Sequence, residues 1–300
     1  MAPRMPLELP QAIPLGPQPM GDREFGQLRD LVYAHAGIHL GPAKRALLTA
    51  RLQRRMRELG LHDWKSYVAR VLDDATGLER RKLIEAICTH ETSFFRERPQ
   101  FDYLENELFP AWQRAAAEGR RHKRVRVWSA ACSTGEEPFS VAMSLLAHLP
   151  VSQGWQHEIV ATDLSRRVLE KAEAGEWPID RNVGIPESYL KAFMLRGVGE
   201  NVRKMRASDP LRAIIRFQQL NLNEPIPSTM GQFDLVLCRN VLIYFDAKSK
   251  ARALDGLLSR LSPSGILLVG HAETLTGMTD RMRSLKPTIY AQLPSAVSRP

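Results

Sequence analysis

No apolar run in the sequence approaches the roughly 18 residues that a membrane-spanning helix needs. The first twenty residues hold six prolines, which interrupt the continuous apolar stretch of a secretion signal. Residues 1–20 are expected to form a disordered tail. Without an export signal or a span, the chain is expected in the cytoplasm, not inserted in a membrane, where thiols stay reduced. Cysteine is scarce: Cys88, Cys132 and Cys238 stand far apart and form no CxxC pair. That speaks against a disulfide framework or a structural zinc site, and no metal is expected. The GxGxxG fingerprint is also missing, which counts against a nicotinamide or flavin pyrophosphate. Nor does the chain show a Cys/His or Ser/His nucleophile–base pair.

What is present is an ordinary globular composition, 44% hydrophobic and 25% charged, over 300 residues, room for two domains. The formal charge of +9 would suit an acidic protein, nucleic acid or an anionic membrane, and charge alone does not choose among them. Residues 21–95 read as a helical domain and linker. Within it AKRALLTARLQRRMRELG (43–60) sets Leu48, Leu52, Met56 and Leu59 at helical spacing, one buried stripe, with Gly60 as the stop. Lys44, Arg51, Arg54, Arg55 and Arg57 fall on the arc beside that stripe, with no acid before Glu58. This arc is either a surface for an acidic helical partner or a solvated face.

From Arg124 the pattern changes. VRVWSAA (125–131), HEIVATD (157–163), RFQQLNL (216–222), FDLVLCRN (233–240) and GILLVGHAE (265–273) read as strands. Helices are expected with Pro138 in the first turn and FSVAMSLLAHL continuing it, from Ser165 and over 247–261, and a closing edge strand near 288–292. Strands alternating with helices imply an open parallel α/β sheet with helices on both faces, here over 96–295. Residues 189–217 break the rhythm and read as an inserted antiparallel β-subdomain.

In such sheets ligands bind beyond the carboxyl ends of the strands, where the topology reverses. The loop from Ala130 to Pro138 lies there, and its small residues, with Gly135, let the backbone approach a ligand. Glu136 and Glu137 would repel phosphates but suit a ligand carrying ammonium and sulfonium charges, as S-adenosylmethionine does. They are equally a favourable pair at a helix N-terminus. Asp163, ending the second strand, either accepts ribose hydroxyls or caps the following helix, a task open to Ser165 instead.

Six segments taken in order, THETSFFR (89–96), WSAACSTGEEPFS (128–140), ATD (161–163), NL (221–222), CRNVLIYF (238–245) and GHAE (270–273), resemble the chemotaxis receptor glutamate O-methyltransferase family. The resemblance runs over nearly the whole chain after residue 22. It implies a small all-helical domain followed by a Rossmann-like methyltransferase domain with an inserted β-subdomain. It implies cofactor contacts from His90, Thr92, Arg96, Ala131, Gly135, Glu136, Asp163, Asn221, Leu222, Arg239 and Asn240. Whether Glu136 or Glu137 faces the cofactor stays open, and His90 stands where some members have asparagine. Arg96 and Tyr244 would lie near the transferred methyl group, as the catalytic pair. Phe94, Phe95 and Phe245 would either wall the adenine or pack the core.

The activity implied is methyl transfer from S-adenosylmethionine to glutamates on the cytoplasmic helices of methyl-accepting chemotaxis receptors, leaving methyl esters and S-adenosylhomocysteine. A glutamate is already an anion at neutral pH and needs no base. The basic arc at 44–57 would then help select substrate. The β-subdomain resembles one that, in some members, pairs with a receptor's C-terminal peptide, through a loop like Arg196-Gly197-Val198-Gly199. The resemblance also implies a monomer. Two rivals are a non-catalytic, cofactor-binding scaffold and a nucleic-acid methyltransferase. The retained Arg96, Arg239, Asn240 and Tyr244 speak against the first. The lack of a zinc knuckle or an aromatic-interleaved basic stretch speaks against the second, so no nucleic acid is expected.

Overall fold

The computed structural model describes residues 19–293, so residues 1–18 of the tail expected over 1–20 and the last residues of the expected catalytic span, 294–295, lie outside the described residues, while Met20 is buried. The chain divides into two compact units, one of residues up to Ala34 with Leu40–Ile87, the other of His35–His39 with Cys88 onward. Among the described residues no helix is long and apolar enough to cross a membrane.

The first unit is helical, with α1 (Asp22–Ala36), α2 (Arg45–Glu58), α3 (Trp64–Leu72) and α4 (Leu78–Ile87). A 3-10 turn, Pro42–Lys44, leads into α2, its proline supplying a pre-set φ where no amide is needed. Leu48, Leu52 and Met56 are buried as the spacing predicts, while Leu59 lies past the helix end as its cap. Asp63 caps α3, its carboxylate accepting the Ser66 N–H at 2.8 Å. The basic arc divides. Arg55 turns inward and holds the buried Glu79 of α4 through Nε at 2.9 Å and Nη2 at 2.5 Å. Arg51 donates to the main-chain oxygen of Ile87 at the end of α4. Lys44, Arg54 and Arg57 remain exposed, Arg54 paired with Glu58. A single basic face is therefore not what the helix presents: residues flanking a buried stripe sit half-buried, and α4 takes two of the five.

The second unit contains β1 (Arg124–Ala130), β2 (Gln156–Asp163), β3 (Glu176–Pro178), β4 (Met194–Arg196), β5 (Lys204–Ala207), β6 (Ile215–Gln219), β7 (Phe233–Cys238), β8 (Leu261–Val269), β9 (Met282–Lys286) and β10 (Ile289–Gln292). Its main sheet has seven strands in the order β6-β2-β1-β7-β8-β10-β9. The first five run parallel, and β10 and β9 are added antiparallel. Parallel strands covered on both faces read as continuous apolar runs, which is why β1, β2, β7 and β8 stand out in the sequence. Trp128, wholly buried in β1, donates its indole N–H to Thr162 of β2 at 2.9 Å. The strand expected to close the edge, β10, lies one place inside it. The edge is β9, whose MRSLK is largely exposed and charged, the composition that discourages further pairing.

Three expected strands, over 216–222, 233–240 and 265–273, end earlier than the sequence suggests, at Gln219, Cys238 and Val269. After Gln219 the Leu220 N–H still reaches Asp163, but Asn221 folds into a turn by accepting the Asn223 N–H at 3.0 Å. After Val269 the Gly270 N–H is taken by Glu273 instead of a neighbouring strand. A helical stretch, α5 (Arg98–Tyr103), a π turn over Leu104–Leu108 and α6 (Phe109–Ala117), leads into the sheet. The crossovers use α7 (Glu136–His148), α8 (Arg166–Ala174), α9 (Glu187–Phe193), α10 (Asp209–Ala213) and α11 (Ala247–Arg260). The small antiparallel sheet, β3-β5-β4, draws in Glu176–Pro178, earlier than the expected start at 189, and Ile215–Gln219 belongs to the main sheet.

Candidate active site

The chain passes from β1 outward through β2 to β6, then returns to β7 and β8 on the other side. The reversal falls between β1 and β7, and the loops leaving both strands carry unusual backbone. Ala131 (φ 64°) and Ser133 (φ 52°) follow β1, and Asn240 (φ 59°) follows β7. Phe95 (φ 51°) and Glu97 (φ 61°), just ahead of α5, share this conformation. Non-glycine residues enter it at a cost and cluster where function requires a fixed backbone.

On the β1 side Asp163 is the organiser. Its Oδ2 accepts the Ser133 N–H and its Oδ1 the Ser165 N–H, both at 2.9 Å. The carboxylate thus caps the approach to α8 and ties down the β1 loop, and each oxygen retains acceptor capacity for a hydroxyl. Burial pushes its carboxyl above the usual aspartate value, against the Ser165 and Ser133 N–H groups and the nearby His90. The Ser133 hydroxyl reaches the main-chain oxygen of His90 at 3.3 Å, bringing the 89–96 segment to the same place. Gly135 begins α7 with φ 95°, and a side chain there would come within 3.0 Å of the Ala172 Cβ. Its smallness therefore allows packing against α8.

The two acids after Gly135 separate clearly. Glu137 accepts the Ser129 hydroxyl at 2.7 Å and pairs with Arg239 at 3.0 Å. Arg239 also meets Glu97 at 3.1 Å and donates to the main-chain oxygen of Arg96, with its side chain only 2% exposed. Glu137 is thereby committed to an internal ion cluster. Burial pushes its carboxyl up, with Arg239 and Ser129 working against it. For Glu97 burial works upward too, but the His271 N–H and Arg239 outweigh it and the carboxyl lies below the usual glutamate value. Glu136, also buried, receives the Thr134 hydroxyl at 2.6 Å and stands outside the cluster. Arg239, which the resemblance gives to the cofactor, is held by protein carboxylates on this geometry.

On the β7 side Asn240 donates its side-chain amide to Glu97 at 3.3 Å and its main-chain N–H to Glu273 at 2.9 Å. Tyr244 closes the 3-10 turn Leu242–Tyr244, half-buried, with its carbonyl accepting the His39 N–H at 2.9 Å. Arg96, half-buried, donates to the carbonyl of Glu91 at 2.9 Å, and the Thr92 carbonyl takes Arg181 at 3.2 Å. Asn221 donates to the His35 carbonyl at 2.6 Å and to Glu224 at 3.0 Å, and Leu222 is buried beside it. Phe94 packs edge-on against Trp177 at 5.0 Å, and Phe95 against Phe101 at 4.8 Å, so both serve the core. Phe245 is buried and pairs its backbone with Ile38. Glu97, Glu137 and Glu273 organise the site more than the sequence reading assigns. Glu137, within the 128–140 segment, and Glu273, within GHAE, carried a signal, whereas Glu97 falls one residue past THETSFFR.

Residues 90–291 match the family model described as CheR methyltransferase, SAM binding domain, and residues 23–88 that of CheR methyltransferase, all-alpha domain. The chain is 37% identical over 273 residues to chemotaxis protein methyltransferase 2 of Pseudomonas aeruginosa, covering 89% of this chain and 92% of that one. It is 34% identical over 272 residues to the chemotaxis protein methyltransferases of Salmonella typhimurium and Escherichia coli, covering 91% of each chain.

Proposed function

Since the chain belongs to the CheR methyltransferase family, we propose that it transfers the methyl group of S-adenosylmethionine to glutamate side chains of chemotaxis receptors, leaving glutamyl methyl esters and S-adenosylhomocysteine. The observation that carries this reading is the pair of strained loops flanking the sheet's reversal point, with the buried acids Asp163 and Glu136 beside the first and Asn240 to Tyr244 on the second. The donor set fits the cofactor: Asp163 keeps acceptor capacity for ribose hydroxyls, and Glu136 is an acid not spent on Arg239, suited to a cationic ligand. His90, Thr92, Arg96, Ala131, Asn221, Leu222 and Asn240 complete the proposed binding set. When bound, S-adenosylmethionine supplies an electrophilic methyl on a good leaving group.

The rest is placement. The acceptor glutamate arrives ionised, since its ordinary pKa is about 4.3, so no residue need remove a proton. Arg96 and Tyr244 orient that carboxylate, and alignment of reacting atoms at roughly 3 Å supplies much of the acceleration. Excluding water from the site strengthens the attack. The proposed transfer uses no metal.

Substrate selection falls to the helical unit, read as a recognition domain over 21–95 with the catalytic domain following. Its exposed Lys44, Arg54 and Arg57 offer charge to receptor helices bearing glutamates. The small sheet ends in β4, an open edge with Leu195 and Val198 exposed, and this edge is the proposed place for a receptor tail peptide to add as a strand. The protein is taken to work as a cytoplasmic monomer. Purified protein, methyl-labelled S-adenosylmethionine and receptor-bearing membranes from the same cell test the proposal. Base-labile label on the receptor, released as methanol, is expected. An unlabelled receptor, with calorimetry showing that the cofactor binds, would overturn it.

A further inference from the structure

The turn that carries Asn240 and Tyr244 is held by a residue to which the reading above gives no role. Glu273 is 7% exposed. Its Oε2 accepts the N–H groups of Asn240 at 2.9 Å and Gly270 at 2.6 Å, and its Oε1 those of Val241 at 2.9 Å and Ile243 at 3.2 Å. The cause is local. Beyond Cys238 the chain leaves the sheet and enters the left-handed region at Asn240, which turns the N–H groups of Asn240, Val241 and Ile243 away from any strand partner. Buried N–H groups must be satisfied, and one carboxylate satisfies them together with charge-assisted bonds.

A second clamp runs alongside. One oxygen of Glu97 accepts both the Asn240 side-chain amide at 3.3 Å and the His271 N–H at 3.0 Å. Gly270 leaves room for this meeting, for a Cβ there would lie 2.5 Å from the Asn240 amide nitrogen and 2.9 Å from Glu273. The loops after β7 and β8 are thus locked to one another through two carboxylates. Tyr244 sits at the end of the locked turn, its N–H bonded to the Val241 carbonyl at 3.1 Å.

We propose that Glu273 is a positioning residue for methyl transfer, acting through the Asn240–Tyr244 turn; the proposal rests on the function assigned above. Glu273→Gln keeps the shape but replaces one accepting oxygen with a donor, so two of the four N–H groups lose their partner. The test is a double-mutant cycle of kcat with Tyr244→Phe, joined to amide exchange of residues 240–243 in the cofactor-free protein. Glu273→Gln is expected to lower kcat roughly 10- to 100-fold and to speed exchange of those amides. Most of that loss should vanish in the Tyr244→Phe background, an effect that general destabilisation would not produce. Should Glu273→Gln fail to fold, Glu273→Asp, which keeps the charge with a shorter reach, enters the same cycle. Losses that add overturn the positioning role and leave the methyl-transfer reading standing. A wild-type kcat in Tyr244→Phe also overturns it, whereas a wild-type protein that transfers no methyl group to the receptor removes both.

Discussion

Replacing Arg239 with methionine removes the cation between Glu137 and Glu97 while filling most of its volume. The guanidinium is buried and makes both ion pairs at 3.0–3.1 Å, so its loss strands two carboxylates close together. Removing one partner of a buried ion pair costs about 3–5 kcal/mol. In a unit of this size each kcal/mol moves the melting temperature by about 2–4 °C, so its transition should fall by roughly 6–20 °C at neutral pH. The pH dependence has a definite sign. Burial already raises the Glu137 carboxyl against the pull of Arg239, and without that cation it rises further. The folded variant then holds more protons than its unfolded chain in mildly acid solution, so its stability improves as pH falls. Its deficit from wild type should narrow between about pH 7 and about pH 5. Scanning calorimetry at both pH values reads this directly, with an S-adenosylhomocysteine isotherm on the same samples. An unchanged melting temperature with strongly weakened binding would refute the reasoning and make Arg239 a ligand contact.

The divided basic helix separates two kinds of variant. Arg55→Ala leaves Glu79 buried without its bidentate partner and should destabilise the helical unit by about 3 kcal/mol. Charge reversal at Lys44, Arg54 and Arg57 should leave melting unchanged and lower receptor methylation at physiological salt; an unaltered rate would make them a solvated face. Asp163→Asn puts a donor against the Ser133 or Ser165 N–H and should weaken S-adenosylhomocysteine roughly 10- to 100-fold, as an isotherm would show. Asp74 holds the start of α4 through the Glu79 N–H at 2.6 Å, and the Thr76 hydroxyl, aided by that N–H, lowers its carboxyl to about 2. The stability it contributes is present above the usual aspartate value and is lost as pH falls through about 2. Circular dichroism of wild type and Asp74→Asn should therefore converge at that pH; a gap that persists would deny Asp74 the role.

The parts of the fold that could be read from sequence are those whose side chains face a core on both sides. Val125, Val127 and Trp128 in β1, and Leu235 to Leu237 in β7, are all wholly buried, and their apolar runs announce them. An edge strand need not be apolar, so β9 left no comparable trace. The Lys44–Arg57 arc shows why helical spacing is insufficient: it fixes which residues flank a stripe, not which of them a neighbouring helix will take. The site divides in the same way. Asp163 ends an obvious strand, and its place follows from the topology. The commitment of Glu137 to Arg239 and the gathering of four N–H groups by Glu273 depend on loops distant in sequence, which no local pattern encodes. Gly135 could be read as a close-approach residue, but no local pattern told that a side chain there would also meet Ala172 of α8.

The most direct measurement is mass spectrometry of receptor peptides after incubation with the protein and S-adenosylmethionine. The account predicts a single methyl group on glutamate side chains of the cytoplasmic helices, removed by mild base. Methylation of another residue type, or of nucleic acid in place of the receptor, would contradict it.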